Sequence, residues 1–198
     1  MKMDNRIFSN TLTAKSIETG YEAKSISILL DSQGNPTRVY KEYDPEKMHV
    51  PTIGGLFGPP SITDPYKIAE YKLKEADFYY RVFGDSFAVP EYVIKDTNGE
   101  LTIAAFQEYI PGQKLSRQIV TNNPAVRSQY RLMLEILTTY VNNNPQEAKE
   151  FGFDDMYIPT AEEIFDPDFE PPRQMPDLVN FGNYIWNNKT EKLILIDF

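Results

Sequence analysis

The sequence predicts an α+β fold in two parts, a β-rich part over residues 1–110 with one main helix and a smaller helical part over residues 111–198. Segments rich in Ile, Leu, Val and Tyr dominate the first part, and two longer segments have the periodicity of helices. The strand-like segments come in runs and do not alternate with helices. This order favours a sheet joined to helices over repeated βαβ units.

Turn signals separate the predicted strands. The segment SIETGYEAKSISILLD is followed by the turn SQGNP and then by TRVYKEYD. A loop rich in proline and glycine comes next, PEKMHVPTIGGLFGPPSIT. Two further strands, FAVPEYVI and LTIAAFQEYI, are joined through Asn98-Gly99, which is a hairpin signal.

Two helices have recognisable ends. The first is expected to begin at Asp64-Pro65, an N-cap followed by proline at the first helical position, and to end at Gly84. The second is expected to begin at Asn123-Pro124. Its apolar stripe has steps of three and four and consists of Val126, Tyr130, Met133, Leu137 and Tyr140. From about residue 143 to 176 the chain is acidic and proline-rich, and we expect mostly irregular structure there.

Composition excludes several classes of function. The formal net charge is -9, so the basic surface that nucleic-acid binding needs is missing. The chain has no cysteine, and its single histidine, His49, lies in a predicted loop. Thiol chemistry, a histidine-rich metal site and a Ser-His-Asp triad are therefore discounted. No apolar run reaches the length of a membrane span, and MKMDNRIFSN lacks the apolar region of a cleavable signal peptide.

One lysine and one glutamate are predicted on semi-buried faces. In TRVYKEYD, Lys41 shares a strand face with Val39 and Tyr43. In the first helix, Glu75 lies in the middle of an inward stripe that also holds Ile68, Tyr71, Phe78 and Val82. A charge on a buried face is costly unless an opposite charge meets it, so an ion pair between Lys41 and Glu75 would satisfy both. The alternative is that both residues face solvent.

The segment FGNYIWNNKTEKLILIDF predicts a β-hairpin with its turn near Asn188 to Glu191. Pairing of residues 184–186 with 193–196 places Asn183 roughly opposite Asp197. Amide and carboxylate oxygens are suitable ligands for a hard cation such as Mg²⁺. The alternative is a surface hairpin whose ends happen to be polar.

Taken in chain order, these pieces resemble the bilobal protein-kinase-like fold, and most closely the minimal effector kinases that enteric bacterial pathogens inject into host cells. The resemblance covers roughly residues 15–115 and 177–198. The pieces that carry it are Gly20 at a strand turn, Lys41 within Tyr40-Lys41-Glu42-Tyr43-Asp44, Glu75, the segment Gln107 to Gly112, Gly182-Asn183 and Ile196-Asp197-Phe198. It implies a β-rich N-lobe with one main helix, and a reduced helical C-lobe.

The resemblance also implies cofactors and residue roles. ATP and Mg²⁺ would be bound, with Gly20 and its neighbours over the phosphates and Lys41 on the α- and β-phosphates, positioned by Glu75. The hinge residues Glu108, Tyr109 and Ile110 would offer backbone groups to adenine. Asn183 and Asp197 would bind the metal. A cytoplasmic location, or delivery into a host cell without a cleavable signal peptide, is the corresponding expectation.

The catalytic base departs from the kinase pattern. Kinases place an aspartate five residues before the metal-binding asparagine, where this chain has Leu178, and the nearest aspartate, Asp177, lies six residues before Asn183. Either the loop carries a one-residue insertion and Asp177 is the base, or the base is missing.

The leading prediction is therefore a phosphotransferase that acts on Ser or Thr of a protein and serves as a virulence effector. The alternatives are a pseudokinase that binds a host protein partner through its acidic surface, and a small-molecule kinase of the aminoglycoside phosphotransferase type.

Overall fold

The protein is an α+β chain whose N-terminal part is rich in β-sheet. A computed structural model describes residues 13–18, 23–44, 64–97, 99–170 and 175–196, without the side chains of residues 13–18, Thr97 and Asp177. The chain divides into two compact units, and the division falls after Glu70 within the first helix and again after Val89 and Tyr109. The predicted domain ranges 1–110 and 111–198 stay a prediction.

A five-stranded antiparallel sheet with the order β1-β2-β3-β5-β4 forms most of the first unit. Its strands are β1 Thr13–Glu18, β2 Ala23–Leu30, β3 Pro36–Tyr43, β4 Glu91–Thr97 and β5 Glu100–Glu108. The predicted turn between β2 and β3 is confirmed. There the Asp31 carboxylate accepts hydrogen bonds from the backbone N–H groups of Gln33 and Asn35, each at 2.8 Å. Gly34 has a φ of 83°, which a side chain would oppose.

The predicted β4–β5 hairpin is also confirmed. Thr97 pairs with Glu100, and Gly99 has a φ of 88°. The backbone N–H of Gly99 donates to the Asp96 carboxylate at 2.7 Å. The turn thus fixes the pairing register of β4 and β5. In this register Ala105, on β5, has one neighbour on β3 and another on β4.

The first helix, α1 Pro65–Phe83, has the predicted ends. The Asp64 carboxylate accepts the N–H of Tyr66 at 3.0 Å, and Gly84 follows the helix with a φ of 53°. The predicted inward stripe is confirmed: Ile68, Phe78 and Val82 are buried, and Tyr71 and Glu75 are half-buried. Lys72, which the sequence analysis did not place on this face, is buried as well.

The second unit contains the remaining helices and a small sheet with the order β6-β7-β8. The helices are α2 Arg117–Asn122, α3 Pro124–Asn143, α4 Pro145–Glu150 and α5 Ala161–Phe165, and the strands are β6 Gln113–Lys114, β7 Tyr184–Asn187 and β8 Lys192–Leu195. The predicted stripe of α3 is confirmed, because Val126, Tyr130, Met133 and Leu137 are buried and Tyr140 is half-buried.

The interval from 143 to 176 is more regular than the sequence analysis predicted. It contains α4 and α5, which were missed because both are short and lie among prolines and acidic residues. A signal for α5 was present in Thr160 and Glu163, which form a capping box: each side chain accepts the backbone N–H of the other residue.

Both long helices are amphipathic. In α1 and α3, exposed charged residues alternate with the buried stripes. Within the described ranges, no helix is long and apolar enough to cross a membrane, in agreement with the sequence.

The cap of α3 can be tested by substitution. The Asn123 side chain accepts the N–H groups of Ala125 and Val126 at 3.1 and 3.3 Å. We expect Asn123→Ala to lower the free energy of unfolding by about 1 kcal/mol, because these donors lose their acceptor. Urea unfolding measures the change. Asn122→Ala is the matched control at an exposed neighbouring position and should change stability far less; equal losses would contradict the cap.

Glu163 provides a pH test. Its carboxylate accepts hydrogen bonds from the Tyr157 hydroxyl at 2.5 Å and from the Thr160 N–H at 2.7 Å. The bond from Tyr157 and then those from Thr160 hold the pKa of Glu163 below its ordinary value of 4.5. This contribution to stability is complete above the unfolded-state pKa and is lost as the pH falls through the lower folded-state pKa.

The wild type should therefore lose more stability than Glu163→Gln between about pH 6 and pH 3. Urea unfolding over this pH range makes the comparison. Glu150→Gln, at an exposed position of α4, is the control and should retain the wild-type acid dependence. Parallel curves for wild type and Glu163→Gln would refute the assignment.

Candidate functional site

Lys41 lies on the buried face of β3, as predicted. It is 4% exposed, and Val39 and Tyr43 on the same face are also buried. Its cross-strand neighbours are Ile26 on β2 and Ala105 on β5. The Nζ atom lies 4.6 Å from the centroid of the Tyr43 ring, which is cation–π distance. Lys41 is therefore buried on this face of the sheet, with its Nζ atom close to an aromatic ring.

A second buried polar residue, Gln107, belongs to this face of the sheet. Gln107 lies opposite Val39 and is 4% exposed. Because Lys41 and Val39 are two residues apart on β3, their partners Ala105 and Gln107 share this face. The sequence analysis included Gln107 only as the first residue of the segment Gln107 to Gly112 and gave it no role of its own, although its position at the end of an apolar strand is an available signal.

The opposite face of the sheet holds a separate charge cluster around Glu42. Its carboxylate accepts hydrogen bonds from the Tyr40 hydroxyl at 3.0 Å and from Lys95 Nζ at 3.1 Å, and Lys24 Nζ lies at 3.9 Å. Burial acts to raise the pKa of Glu42, but Lys95, Tyr40 and Lys24 outweigh it and hold that pKa below its ordinary value. Glu42 is thus held in a structural cluster on the face opposite to Lys41.

Glu75 lies in the part of α1 that belongs to the second unit. It accepts a hydrogen bond from Lys72 Nζ at 2.9 Å and one from the Tyr79 hydroxyl at 3.2 Å. The Lys72 and Glu75 side chains are only 9% and 15% exposed, so this ion pair is shielded from solvent. Spacings of three and four residues put all three side chains on one helix face, which is the signal that would have found Lys72. The ion pair predicted between Lys41 and Glu75 stays a prediction.

The predicted hinge follows directly after β5. Glu108 ends the strand and is exposed, while Tyr109 and Ile110 are half-buried. The Tyr109 N–H donates to the Thr37 carbonyl at 3.1 Å, so that donor is engaged within the protein. Adenine binding by Glu108, Tyr109 and Ile110 stays a prediction. The Tyr109 N–H would not take part in it, because it already donates to Thr37.

A compact loop, residues 177–183, carries the candidate base and one candidate metal ligand. It consists of two short 3₁₀ helices, Asp177–Val179 and Phe181–Asn183. The Asn180 side chain accepts the Gly182 N–H at 2.9 Å, and the Asn180 carbonyl accepts the Asn183 N–H at 3.0 Å. Local hydrogen bonds therefore shape the turn between the two 3₁₀ helices.

The hydroxyl groups of two buried tyrosines form hydrogen bonds with the backbone of this loop. Tyr184 donates its hydroxyl to the Leu178 carbonyl at 2.6 Å, and Tyr130 donates to the Val179 carbonyl at 2.7 Å. The two rings meet edge to face, with centroids 5.5 Å apart. Burial raises the pKa of both hydroxyls, which keeps them protonated as donors. Consecutive carbonyl groups directly after Asp177 are therefore fixed by two different elements, α3 and β7.

The terminal hairpin has nearly the predicted register. Tyr184 pairs with Leu195, Ile185 with Ile194 and Trp186 with Leu193. The Ile196 N–H donates to the Asn183 carbonyl at 2.7 Å, which places Asn183 opposite Ile196, one residue before Asp197. The predicted pairing of the two hairpin strands is confirmed, whereas Asp197 lies outside the described residues and its position opposite Asn183 stays a prediction.

Three candidate residues are not fully described. Gly20 and Asp197 lie outside the described residues, and for Asp177 the structure describes the backbone alone. Within the described part of the chain, no group of three or more His, Cys, Asp or Glu residues could hold a metal ion. The Mg²⁺ site of Asn183 and Asp197 and the catalytic role of Asp177 stay predictions.

No protein-family model matches the sequence, and no curated protein matches it significantly. The kinase-like interpretation therefore depends on the residues themselves.

The tyrosine anchors can be tested by removing one oxygen atom at a time. Tyr130→Phe and Tyr184→Phe should each lower the free energy of unfolding by about 1–3 kcal/mol, because each leaves a buried carbonyl without its donor. Hydrogen exchange should speed up at residues 178–183 in both variants. Tyr80→Phe, at an exposed position of α1, is the control and should behave as wild type. Unchanged exchange in the loop would refute the anchoring role.

Proposed function

We propose that this protein is an ATP- and Mg²⁺-dependent phosphotransferase with a minimal, bilobal protein-kinase-like fold, which phosphorylates Ser or Thr of another protein. The observation that carries the proposal is the anchored loop 177–183 joined to the terminal hairpin. Two buried tyrosines fix the backbone after Asp177, and the Ile196–Asn183 hydrogen bond fixes the chain before Asp197. Phosphoryl transfer depends mainly on positioning and charge stabilisation, so hydrogen bonds that hold the backbone directly after Asp177 and at Asn183 are the relevant property.

Lys41 has the character that phosphate binding needs. Its side chain lies on the buried face of the sheet and is 4% exposed, so an anion bound to it would lie in surroundings of low polarity. The α- and β-phosphates of ATP would supply negative charge, and Glu75 would orient the lysine in the way the kinase resemblance implies. A bound phosphate would thus be stabilised in surroundings of low polarity, which strengthens the interaction.

The residues around the hairpin fit a magnesium ion. Asn183 would offer an amide oxygen and Asp197 a carboxylate, and the hydrogen bond from the Ile196 N–H to the Asn183 carbonyl supports this pairing. Oxygen ligands of this kind are the ones Mg²⁺ prefers. When bound, the ion would neutralise charge on the phosphates.

Asp177 would act as the base in the transfer step. It would accept the proton of the substrate hydroxyl while that oxygen forms a bond to the γ-phosphorus and the bond from the γ-phosphorus to the β,γ-bridging oxygen breaks. The products are a phosphorylated Ser or Thr and ADP. Because Asp177 directly precedes the carbonyls held by Tyr184 and Tyr130, its backbone position is determined by buried hydrogen bonds.

A pseudokinase that binds a basic protein partner is the second candidate. The spacing of six residues between Asp177 and Asn183, in place of five, favours it, because an altered loop could misplace the base. The acidic segment Asp154 to Glu170 provides a surface for such a partner.

A labelled-ATP assay on a mixture of proteins, with wild type beside variants, tests the proposal. Lys41→Ala, Asp177→Asn and Asp197→Asn should each reduce transfer by about a hundredfold or more, since each removes a charge-stabilising, proton-accepting or metal-binding group. The matched controls are Lys24→Ala on the same sheet and Asp155→Asn, both at exposed positions, and they should keep wild-type activity. Transfer that survives Lys41→Ala or Asp197→Asn would refute the mechanism.

Nucleotide binding separates the two candidates. ATP with Mg²⁺ should raise the melting temperature of the wild type, because a ligand that binds the folded state stabilises it. Asp197→Asn should reduce this shift, and Asp155→Asn should not. A shift without phosphate transfer would favour the pseudokinase, and no shift at all would contradict the kinase proposal.

A further inference from the structure

A groove lies beside the anchored loop, entirely within the second unit. Its volume is about 560 Å³, within the range of ligand pockets. We call it the loop groove and define it by Arg117, Ile164, Phe169, Pro176, Val179 and Phe181, which are among the residues that line it. Val179 and Phe181 belong to the loop 177–183, and Pro176 directly precedes Asp177. An occupant of the groove would therefore lie next to the candidate base.

The groove has an apolar floor. The side chains of Ile164, Pro176 and Val179 are buried, and those of Phe169 and Phe181 are half-buried, so they expose only part of their apolar surface. The volume is sufficient for a large aliphatic or aromatic side chain. Burying such a side chain stabilises a complex by about 1.5–3 kcal/mol, which is a useful amount for selecting a substrate.

The wall formed by α5 is held in place before any ligand binds. Arg117 donates from one guanidinium nitrogen to the carbonyl groups of Ile164 at 2.8 Å and Asp166 at 3.1 Å. Arg127 stacks on the Phe165 ring at 4.5 Å. Arg131 forms an ion pair with Glu162 at 2.6 Å. Three arginines thus fix α5 and its C-terminal end, and the basic residue in the lining, Arg117, is engaged by backbone carbonyls.

The chain beside this wall is strongly acidic. From Asp154 to Glu170 the sequence has seven carboxylates and no basic residue. Glu162 and Glu163 are engaged by Arg131 and Tyr157. By contrast, Asp166, Asp168 and Glu170, which alternate with Pro167 and Phe169, are exposed. None of these three carboxylates forms an ion pair with a residue that the structure describes.

We infer that the loop groove binds the segment of the substrate protein around the phosphorylated residue, taking a large apolar side chain flanked by Lys or Arg. The inference rests on the proposed kinase function and specifies its substrate class. The apolar side chain enters the groove over Ile164 and Val179, and the basic residues lie against Asp166, Asp168 and Glu170. Its position beside Pro176 keeps the bound segment close to Asp177, where the hydroxyl must arrive.

Peptide binding in the absence of nucleotide tests this inference directly. The probe is a fluorescein-labelled peptide with a serine and a nearby phenylalanine flanked by arginines, and its binding is followed by fluorescence anisotropy. Replacing the phenylalanine by alanine should weaken binding by about tenfold or more, because the apolar contact is lost. Replacing the arginines by glutamates should abolish measurable binding, since like charges would then face each other. Equal binding of all three peptides would overturn the inference.

Variants of the protein locate the binding surface. Asp168→Asn combined with Glu170→Gln should weaken the arginine-flanked peptide several-fold and lower the salt dependence of its binding. Glu150→Gln combined with Asp85→Asn removes the same charge at exposed positions that lie outside the acidic segment and do not line the groove, and this control should bind as wild type. Phe169→Ala should reduce selection of phenylalanine over alanine in the peptide. Equal effects of the two charge-removing pairs would overturn the assignment to the loop groove.

Phosphate transfer to an array of the same peptides separates the two proposals. If peptides bind with the expected selectivity but none is phosphorylated, the kinase function fails and the groove assignment stands. If serine peptides are phosphorylated without regard to the apolar and basic positions, the kinase function stands and the groove assignment fails. Saturable binding of an aminoglycoside, with no peptide bound, would overturn the peptide assignment in favour of a small cationic substrate.

Discussion

The carbonyl groups of Leu178 and Val179 impose the central constraint on the second unit. A buried carbonyl group must find a hydrogen-bond donor. The hydroxyls of Tyr184 and Tyr130 meet this requirement from β7 and α3. The phenol rings pack edge to face, so the apolar core and the polar contacts that hold the loop consist of the same two side chains. A helix, a strand and a loop thereby become one rigid group.

Buried positive charges and exposed negative charges lie in different parts of the chain. The chain is acidic overall, yet two of its lysines, Lys41 and Lys72, are buried, one in each unit. Lys72 forms an ion pair with Glu75. On the sheet face opposite to Lys41, the Glu42 carboxylate forms an ion pair with Lys95. Carboxylates collect between Asp154 and Glu170, beside the loop that we propose as catalytic. In the function that we propose, Lys41 would bind phosphate and the exposed carboxylates of this segment would bind a basic polypeptide.

The elements that the sequence predicted correctly have strong local signals at their ends. Asp64 and Asn123 each precede a proline and cap their helices, while Gly34 and Gly99 have positive φ angles in the turns where glycine was expected. The short helices α4 and α5 were missed, since proline and acidic residues dominated the interpretation of that interval. The capping box of α5 was a usable signal that composition obscured.

The sequence by itself determined which faces are buried, because periodicities of 2.0 and 3.6 residues fix the direction of each side chain. Lys41, Glu75, the stripe of α3 and the pairing of the terminal hairpin follow from that rule. Only the tertiary structure decided how polar groups are matched: Tyr130 with a carbonyl 49 residues away, or Arg117 with the end of α5. It also decided where the loop groove lies. Such contacts have no periodicity in the sequence, because they depend on which elements lie next to each other in the fold. A hydroxyl group can donate a hydrogen bond to any carbonyl group that lies close enough.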